Sequence, residues 1–244
     1  MARQGSNPRD GYFSREERSI AMKVLLFGAT GMVGQGVLRE CLLDPDVERV
    51  QIVGRSPTGI HHPKLREILH KDLSHYAEIE ADLSGFDACF FSLGVSSAGM
   101  KAEDYERITY GITMAAAETL CRLNPKMKFF YVSGAGTDST EQGRSMWARV
   151  KGRTENALLR LPFAAAYMFR PGLIQPMHGE RPKAAVYRAL YSIARPLLAL
   201  LRPSFPNYVL TTEEIGRAML IVARHGYPKH ILEIGDIRAA LQTS

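Results

Sequence analysis

The chain predicts an α/β protein organised around a doubly wound parallel sheet. A strand, a glycine turn and a helix follow one another near its start. Continuous apolar runs of strand length then alternate with segments of helical periodicity. Repeated βα units call for parallel strands, because right-handed crossovers place helices on both faces of the sheet.

The elements follow in order. Val24-Leu25-Leu26 is the first strand, preceded by Met22, and the glycine stretch from Phe27 to Gly34 leads into a helix over 35–43. Val50-Gln51-Ile52-Val53 reads as the second strand, and Leu65–His70 as the third, ending at Lys71-Asp72-Leu73. The run from Ala88 to Leu93 has the unbroken apolar character of a strand buried on both faces. Glu103–Arg122 is predicted as one long helix, since Tyr105, Ile108, Ile112, Ala116 and Leu120 recur at helical spacing. Lys128–Val132 is the fifth strand, Ser145–Arg160 the next helix and Ala165–Phe169 the sixth strand.

The C-terminal third is read more coarsely. Ala184–Leu201 is apolar, with Arg188, Arg195 and Arg202 seven apart on one helical face, and Pro196 divides it. A substrate-pocket or dimer helix is expected there in preference to a membrane-surface helix, and it is charged too often to span a bilayer. Thr211-Thr212-Glu213-Glu214 has the cap and early acids of a helix start, leading into Ile215–Arg224. The expected division is a disordered tail over 1–21, a dinucleotide-binding core over 22–175 and a small substrate-facing region over 176–244.

Composition narrows the function. The 244 residues carry a net charge of +6 with pI near 9.3, and 45% are apolar. The basic residues are dispersed rather than run together, which argues against nucleic acid as a partner. Cys41, Cys89 and Cys121 are far apart and odd in number, so neither a disulfide framework nor a metal site is expected. His61, His62, His70 and His75 lack a completing carboxylate or thiolate at ligand spacing and read as a solvated turn. The opening segment mixes Arg3, Arg9, Asp10, Arg15, Glu16, Glu17 and Arg18 without an apolar stretch, so no secretory signal is read and a cytoplasmic location is expected.

The chemistry is concentrated at strand ends, where ligands of such sheets sit. Gly28, Gly31 and Gly34 let the backbone turn tightly. With Thr30, Met32 and Val33, they present N–H groups and a helix N-terminus to a diphosphate. The second strand ends in Gly54-Arg55-Ser56 with no acid to hold a ribose hydroxyl pair. Arg55 instead suits a 2′-phosphate, which favours NADP(H) and leaves NAD(H) as the alternative. Asp72 is placed to accept from an adenine amino group. Leu93 and Gly94 allow close backbone approach to the adenosine ribose.

Taken together, GATGMVG (28–34), VGRS (53–56), SLG (92–94), YVSGAG (131–136), WARVKG (147–152) and FRPG (169–172) resemble the atypical short-chain dehydrogenase/reductase superfamily. Within it the likeness is to the Tat-interacting oxidoreductase-like group, of epimerase/dehydratase type, over about Val24 to Gly172. The resemblance implies a Rossmann core with bound NADP(H), and a dimer through helices 103–122 and 145–160. Pro171 and Gly172 would lie against the nicotinamide. In active members a tyrosine stands four residues before a lysine that holds the nicotinamide ribose. Lys151 fills the lysine place, but Trp147 stands in the tyrosine's, and an indole is neither acid nor base near neutral pH. Ser133 aligns with the first of the family's two serines, leaving Gly134 in the catalytic place; a shift of one residue returns Ser133 to it. Ser139 and Ser145 are nearby polar candidates. The expectation is therefore an oxidoreductase acting on a small carbonyl, alcohol or sugar-like substrate, with a catalytically inactive NADP(H)-binding redox sensor as the alternative.

Overall fold

The computed structural model of the chain describes residues 21–180 and 209–243. The tail expected over 1–21, except its last residue, and the stretch Ala184–Leu201 with its three arginines and Pro196 lie outside the described residues.

Six strands follow the predicted order: β1 (Met22–Phe27), β2 (Val47–Gly54), β3 (Leu65–Leu69), β4 (Ala88–Phe91), β5 (Lys128–Val132) and β6 (Ala165–Phe169). They pair in parallel as β3-β2-β1-β4-β5-β6, so the order reverses between β1 and β4. Helix α1 (Met32–Leu43) links β1 to β2, and α4 (Met146–Arg160) links β5 to β6.

The apolar runs hide a period of two. In β1, Val24 and Leu26 face one layer while Leu25 and Phe27 face the other. Phe90 and Phe130 pack with α1, whereas Phe91, Phe129 and Tyr131 pack on the opposite side. Both faces are thus buried, which is why the strands read as unbroken apolar runs. Each fully buried phenylalanine contributes about 1.5–3 kcal/mol of transfer free energy.

One helix differs from the expectation. The segment predicted as a single α-helix over 103–122 is α2 (Ala102–Glu106), a π turn (Arg107–Gly111) and α3 (Ile112–Leu123). The Ile112 N–H donates to the Arg107 carbonyl, one residue further back than an α-helix allows. The extra residue rotates the buried face. Thr109 and Thr113 turn inward there in place of Ile108 and Ile112, and the Thr113 hydroxyl donates to the Thr109 carbonyl at 2.6 Å.

The C-terminal segment returns to the sheet. Strand β7 (Leu173–Gln175) pairs with β8 (Val209–Thr211) outside the main sheet, and α5 (Thr212–His225) packs on α1. Thr211 caps α5 as the sequence predicts, its hydroxyl accepting from the Glu214 N–H at 3.0 Å. Helices α1 and α5 cross closely: a Cβ on Gly36 would lie 2.5 Å from the Thr212 Cβ. Strand β9 (Ile231–Leu232) then joins β6 in parallel as the seventh strand, and α6 (Ile234–Ala240) follows it. Residues 209–243, all within the segment read as substrate-facing, thus supply a strand of the main sheet and one of its covering helices.

Candidate active site at the carboxyl ends of the strands

Gly28 leaves β1 with φ +81, a conformation open to glycine and costly for side-chain-bearing residues. A Cβ there would lie 2.6 Å from the Leu93 nitrogen, so the glycine turn is pressed against the end of β4. A Cβ on Gly34 would fall on the Gly28 carbonyl, so the first turn of α1 sits directly on the loop. Gly31 is the N-cap. Its own N–H donates to Gly28 at 2.9 Å, no side chain caps the helix, and no acid stands in its first turn. Two of the three glycines are therefore spent on packing. What they shape is an uncapped helix start at Met32 and Val33 with N–H groups that lack intrahelical partners. Thr30 turns its carbonyl to the Gln35 side chain at 3.0 Å.

Around this loop the neighbouring strand ends are arranged by register. Phe91 of β4 lies opposite Phe27 on one side and Tyr131 on the other, which brings 92–94 between the glycine loop and the β5 exit. The Ser92 hydroxyl is buried with no hydrogen-bond partner among the described residues. Leu93 is half-buried, and Gly94 is exposed with open space where a Cβ would be. Arg55, past the end of β2, is exposed, and its guanidinium makes neither hydrogen bond nor ion pair among the described residues. Asp72 is exposed after β3; the Ser74 N–H, at 2.9 Å, and then the His75 ring hold its carboxyl below the usual range.

The β5 exit is more closed. The Ser133 hydroxyl is buried and meets the Thr137 hydroxyl at 3.0 Å, while Thr137 also donates to the Gly134 carbonyl at 2.7 Å. Trp147 is half-buried, and its benzo edge faces Gly134 and Gly136: Cβ atoms built there would lie 4.0 and 3.7 Å from the ring, at ordinary contact distance. One turn on, the Lys151 ammonium lies 3.4 Å from the Val132 carbonyl and 5.1 Å from the Tyr131 ring centre. Burial pushes its pKa down to about 8, partly opposed by the negative charge of Glu155.

That shift has a stability consequence with a definite sign. Below about pH 8 the folded state bears the cost of a buried ammonium; between about 8 and lysine's usual 10.5 the unfolded chain binds more protons. Stability contributed by this group rises with pH across that window. Chemical denaturation of the wild type and Lys151→Met at a series of pH values is expected to show the variant's advantage shrinking from pH 8 to 10. An advantage independent of pH would contradict the shift.

Pro171 is buried, and its carbonyl accepts from the Ala135 N–H at 2.8 Å, tying the β6 exit to the β5 loop; Gly172 is half-buried beside it. Arg170 escaped the sequence reading as an anchor. Its Nε donates to Glu155 at 3.0 Å, Nη2 donates both to the same carboxylate and to the Ser139 hydroxyl at 2.6 Å, and Nη1 donates to Glu233 at 3.0 Å. Ser139 is thereby a support for Arg170, while Ser145 is the exposed N-cap residue of α4 and makes no side-chain capping bond. The spacing of Glu155 on α4 could have signalled an inward carboxylate, but not its partner after β6.

Among the described residues a surface cavity of about 590 Å3 lies elsewhere, beside β3, lined by residues such as Pro57, Ile60, His62 and Arg66 and by none of the predicted site residues. Among the described residues no three metal-binding side chains are gathered, and no helix is long and apolar enough to cross a membrane.

Relatives of the chain agree with this architecture. It is 30% identical over 167 residues to FMP52-2 of Scheffersomyces stipitis, covering 67% of this chain and 70% of that protein. It is also 30% identical over 176 residues to fmp52-1 of Aspergillus oryzae, covering 69% and 73%. Both relatives are named as mitochondrial proteins, which overturns the expectation of a cytoplasmic location: the absence of a secretory signal does not separate cytosol from mitochondrion. No family model matches the chain. Among solved structures, WbmF of Bordetella bronchiseptica in complex with NAD+ and UDP superposes with a TM-score of 0.64 at 16% identity, covering 88% of this chain and 72% of that one. The ADP-L-glycero-D-manno-heptose-6-epimerase of Helicobacter pylori gives 0.63 at 16% identity, covering 93% and 84%.

Proposed function

The chain belongs to the FMP52 family, atypical short-chain dehydrogenase/reductase proteins on a Rossmann fold, and from that membership we propose that it is a mitochondrial NADP(H)-binding oxidoreductase. The observation that carries the reading is the uncapped start of α1, held against the end of β4 by Gly28 and Gly34. The residues present fit the group. The glycine loop offers N–H donors to a diphosphate, and the Ser92 hydroxyl is left unpartnered beside it. Arg55 supplies an uncommitted guanidinium for a 2′-phosphate.

A bound nicotinamide supplies or accepts hydride. Toward it, Lys151 offers an ammonium to a ribose hydroxyl, and Pro171 and Gly172 form the wall at the β6 exit. Met32, Val33, Leu93 and Gly94 line the path between diphosphate and adenosine, with Asp72 at the adenine end. The proton that accompanies hydride does not come from Trp147, and Ser133 is engaged with Thr137. Lys151, titrating near pH 8, or water remains to carry it. The substrate is a small carbonyl or alcohol, and helices α2–α3 and α4 form the dimer contact. Trp147 favours a second reading, an NADP(H)-binding sensor without turnover.

The test is calorimetric titration of NADPH and NADH, with a carbonyl screen followed by NADPH absorbance. NADPH is expected to bind more tightly than NADH, and Arg55→Asp should weaken NADPH by about tenfold or more, the worth of one charge-assisted contact. Failure of both nicotinamides to bind would refute the reading; tight binding without turnover would select the sensor. Location is checked by fractionating cells that express the tagged chain.

A further inference from the structure

Resting on the dinucleotide reading, we infer that Trp147 is a stacking platform that fits the site for a flat, conjugated ligand rather than a sugar.

The hydroxyls around the β5 exit are engaged inside the protein. Ser133 pairs with Thr137, Thr137 with the Gly134 carbonyl, Ser139 with Arg170, and Thr140 with Asp138 at 2.6 Å. A sugar would need such groups free, since each buried hydroxyl left without a partner weakens its binding. What the loop offers instead is apolar. Gly134 and Gly136 carry no side chain, and they face the benzo edge of the indole. Gly136 has φ +83, so its lack of a side chain is tied to the backbone path of the loop.

The indole is the only tryptophan of the chain and is half-buried, and its N–H makes no hydrogen bond among the described residues. It stands one helical turn before Lys151, whose ammonium marks the β5 end of the site. An aromatic surface one helical turn from a cation offers stacking to a flat ring and an ammonium to its carbonyl oxygen. Both features select conjugated carbonyl compounds of the quinone type.

The experiment uses the full chain loaded with NADP+, which has no hydride to deliver to a quinone, and NADPH absorbance checks that UDP-glucose is not oxidised. Trp147 emission is followed during titration with 1,4-naphthoquinone and, separately, UDP-glucose, and the same affinities are read by calorimetry. Naphthoquinone is expected to quench the tryptophan and to bind at least about tenfold more tightly than UDP-glucose. Trp147→Ala should weaken it by about tenfold, in the range of aromatic stacking on one base, and Trp147→Phe should restore most of the loss. Equal affinity for UDP-glucose, or a naphthoquinone affinity indifferent to Trp147→Ala in a variant whose circular dichroism matches wild type, would overturn the inference. The titration is repeated without NADP+. If NADP+ does not bind, the dinucleotide reading fails, while quenching of Trp147 in the unloaded protein still decides the platform.

Discussion

Glu155→Ala is expected to cost about 3–5 kcal/mol of folding stability, the penalty for leaving a buried charge without its counterion. Glu155 is fully buried, and Arg170, itself only 8% exposed, points two nitrogens at its carboxylate. Truncating the acid strands the guanidinium beneath α4, with only Glu233 and Ser139 left to it. Because Arg170 also ties β6 to the loop carrying Ser139, the loss should spread to the β5 exit. Urea denaturation of the wild type, Glu155→Ala and the double variant Glu155→Ala/Arg170→Met gives the measurement. The double variant should recover part of the loss, since the apolar pair leaves no buried charge unpaired, although it is smaller than the pair it replaces. A single variant within 1 kcal/mol of wild type would show that the pair is not a stabilising unit.

The second large effect is at Gly34. An alanine there places its Cβ on the Gly28 carbonyl, and neither partner is a flexible side chain that could move aside. Helix α1 must therefore lift from the loop, at a cost at or beyond the roughly 1–3 kcal/mol of an overpacked site. The N–H groups at its start leave their alignment, and NADPH affinity should fall by about a hundredfold or more. Gly31→Ala is the contrast. Its Cβ would come 3.3 Å from the same carbonyl, a tight contact that a few tenths of an ångström relieve. Calorimetric titration of both variants should rank wild type, Gly31→Ala and Gly34→Ala in falling order of affinity; Gly34→Ala binding like wild type would break the link between loop packing and ligand binding.

Much of this was legible before any coordinates. The glycine spacing, the apolar runs and the capping signature at Thr211–Glu214 are local signals, and the structure follows each of them. Strand β9 was not legible, because two residues carry no period and its partner β6 is distant in sequence. The π turn in the long helix escaped for a different reason. Ile108 and Ile112 fit an α-helical stripe as well as any residues could, and the inward threonines become visible only once the ladder shifts by one residue. At the site, the sequence singled out Trp147 and Gly134 separately. That the ring faces the glycine is a fact of the tertiary fold. The Glu155–Arg170 pair was hidden in the same way, split between a helix and a strand exit.

The late arrival of β9 bears on how the protein is made. Met168 of β6 has its partner in Ile231, so one flank of β6 stays an unpaired edge until nearly the whole described chain is available. Contacts of such long sequence separation form slowly. During synthesis the nascent sheet therefore presents an open, aggregation-prone edge, and a chaperone that delays collapse would raise the yield of folded protein.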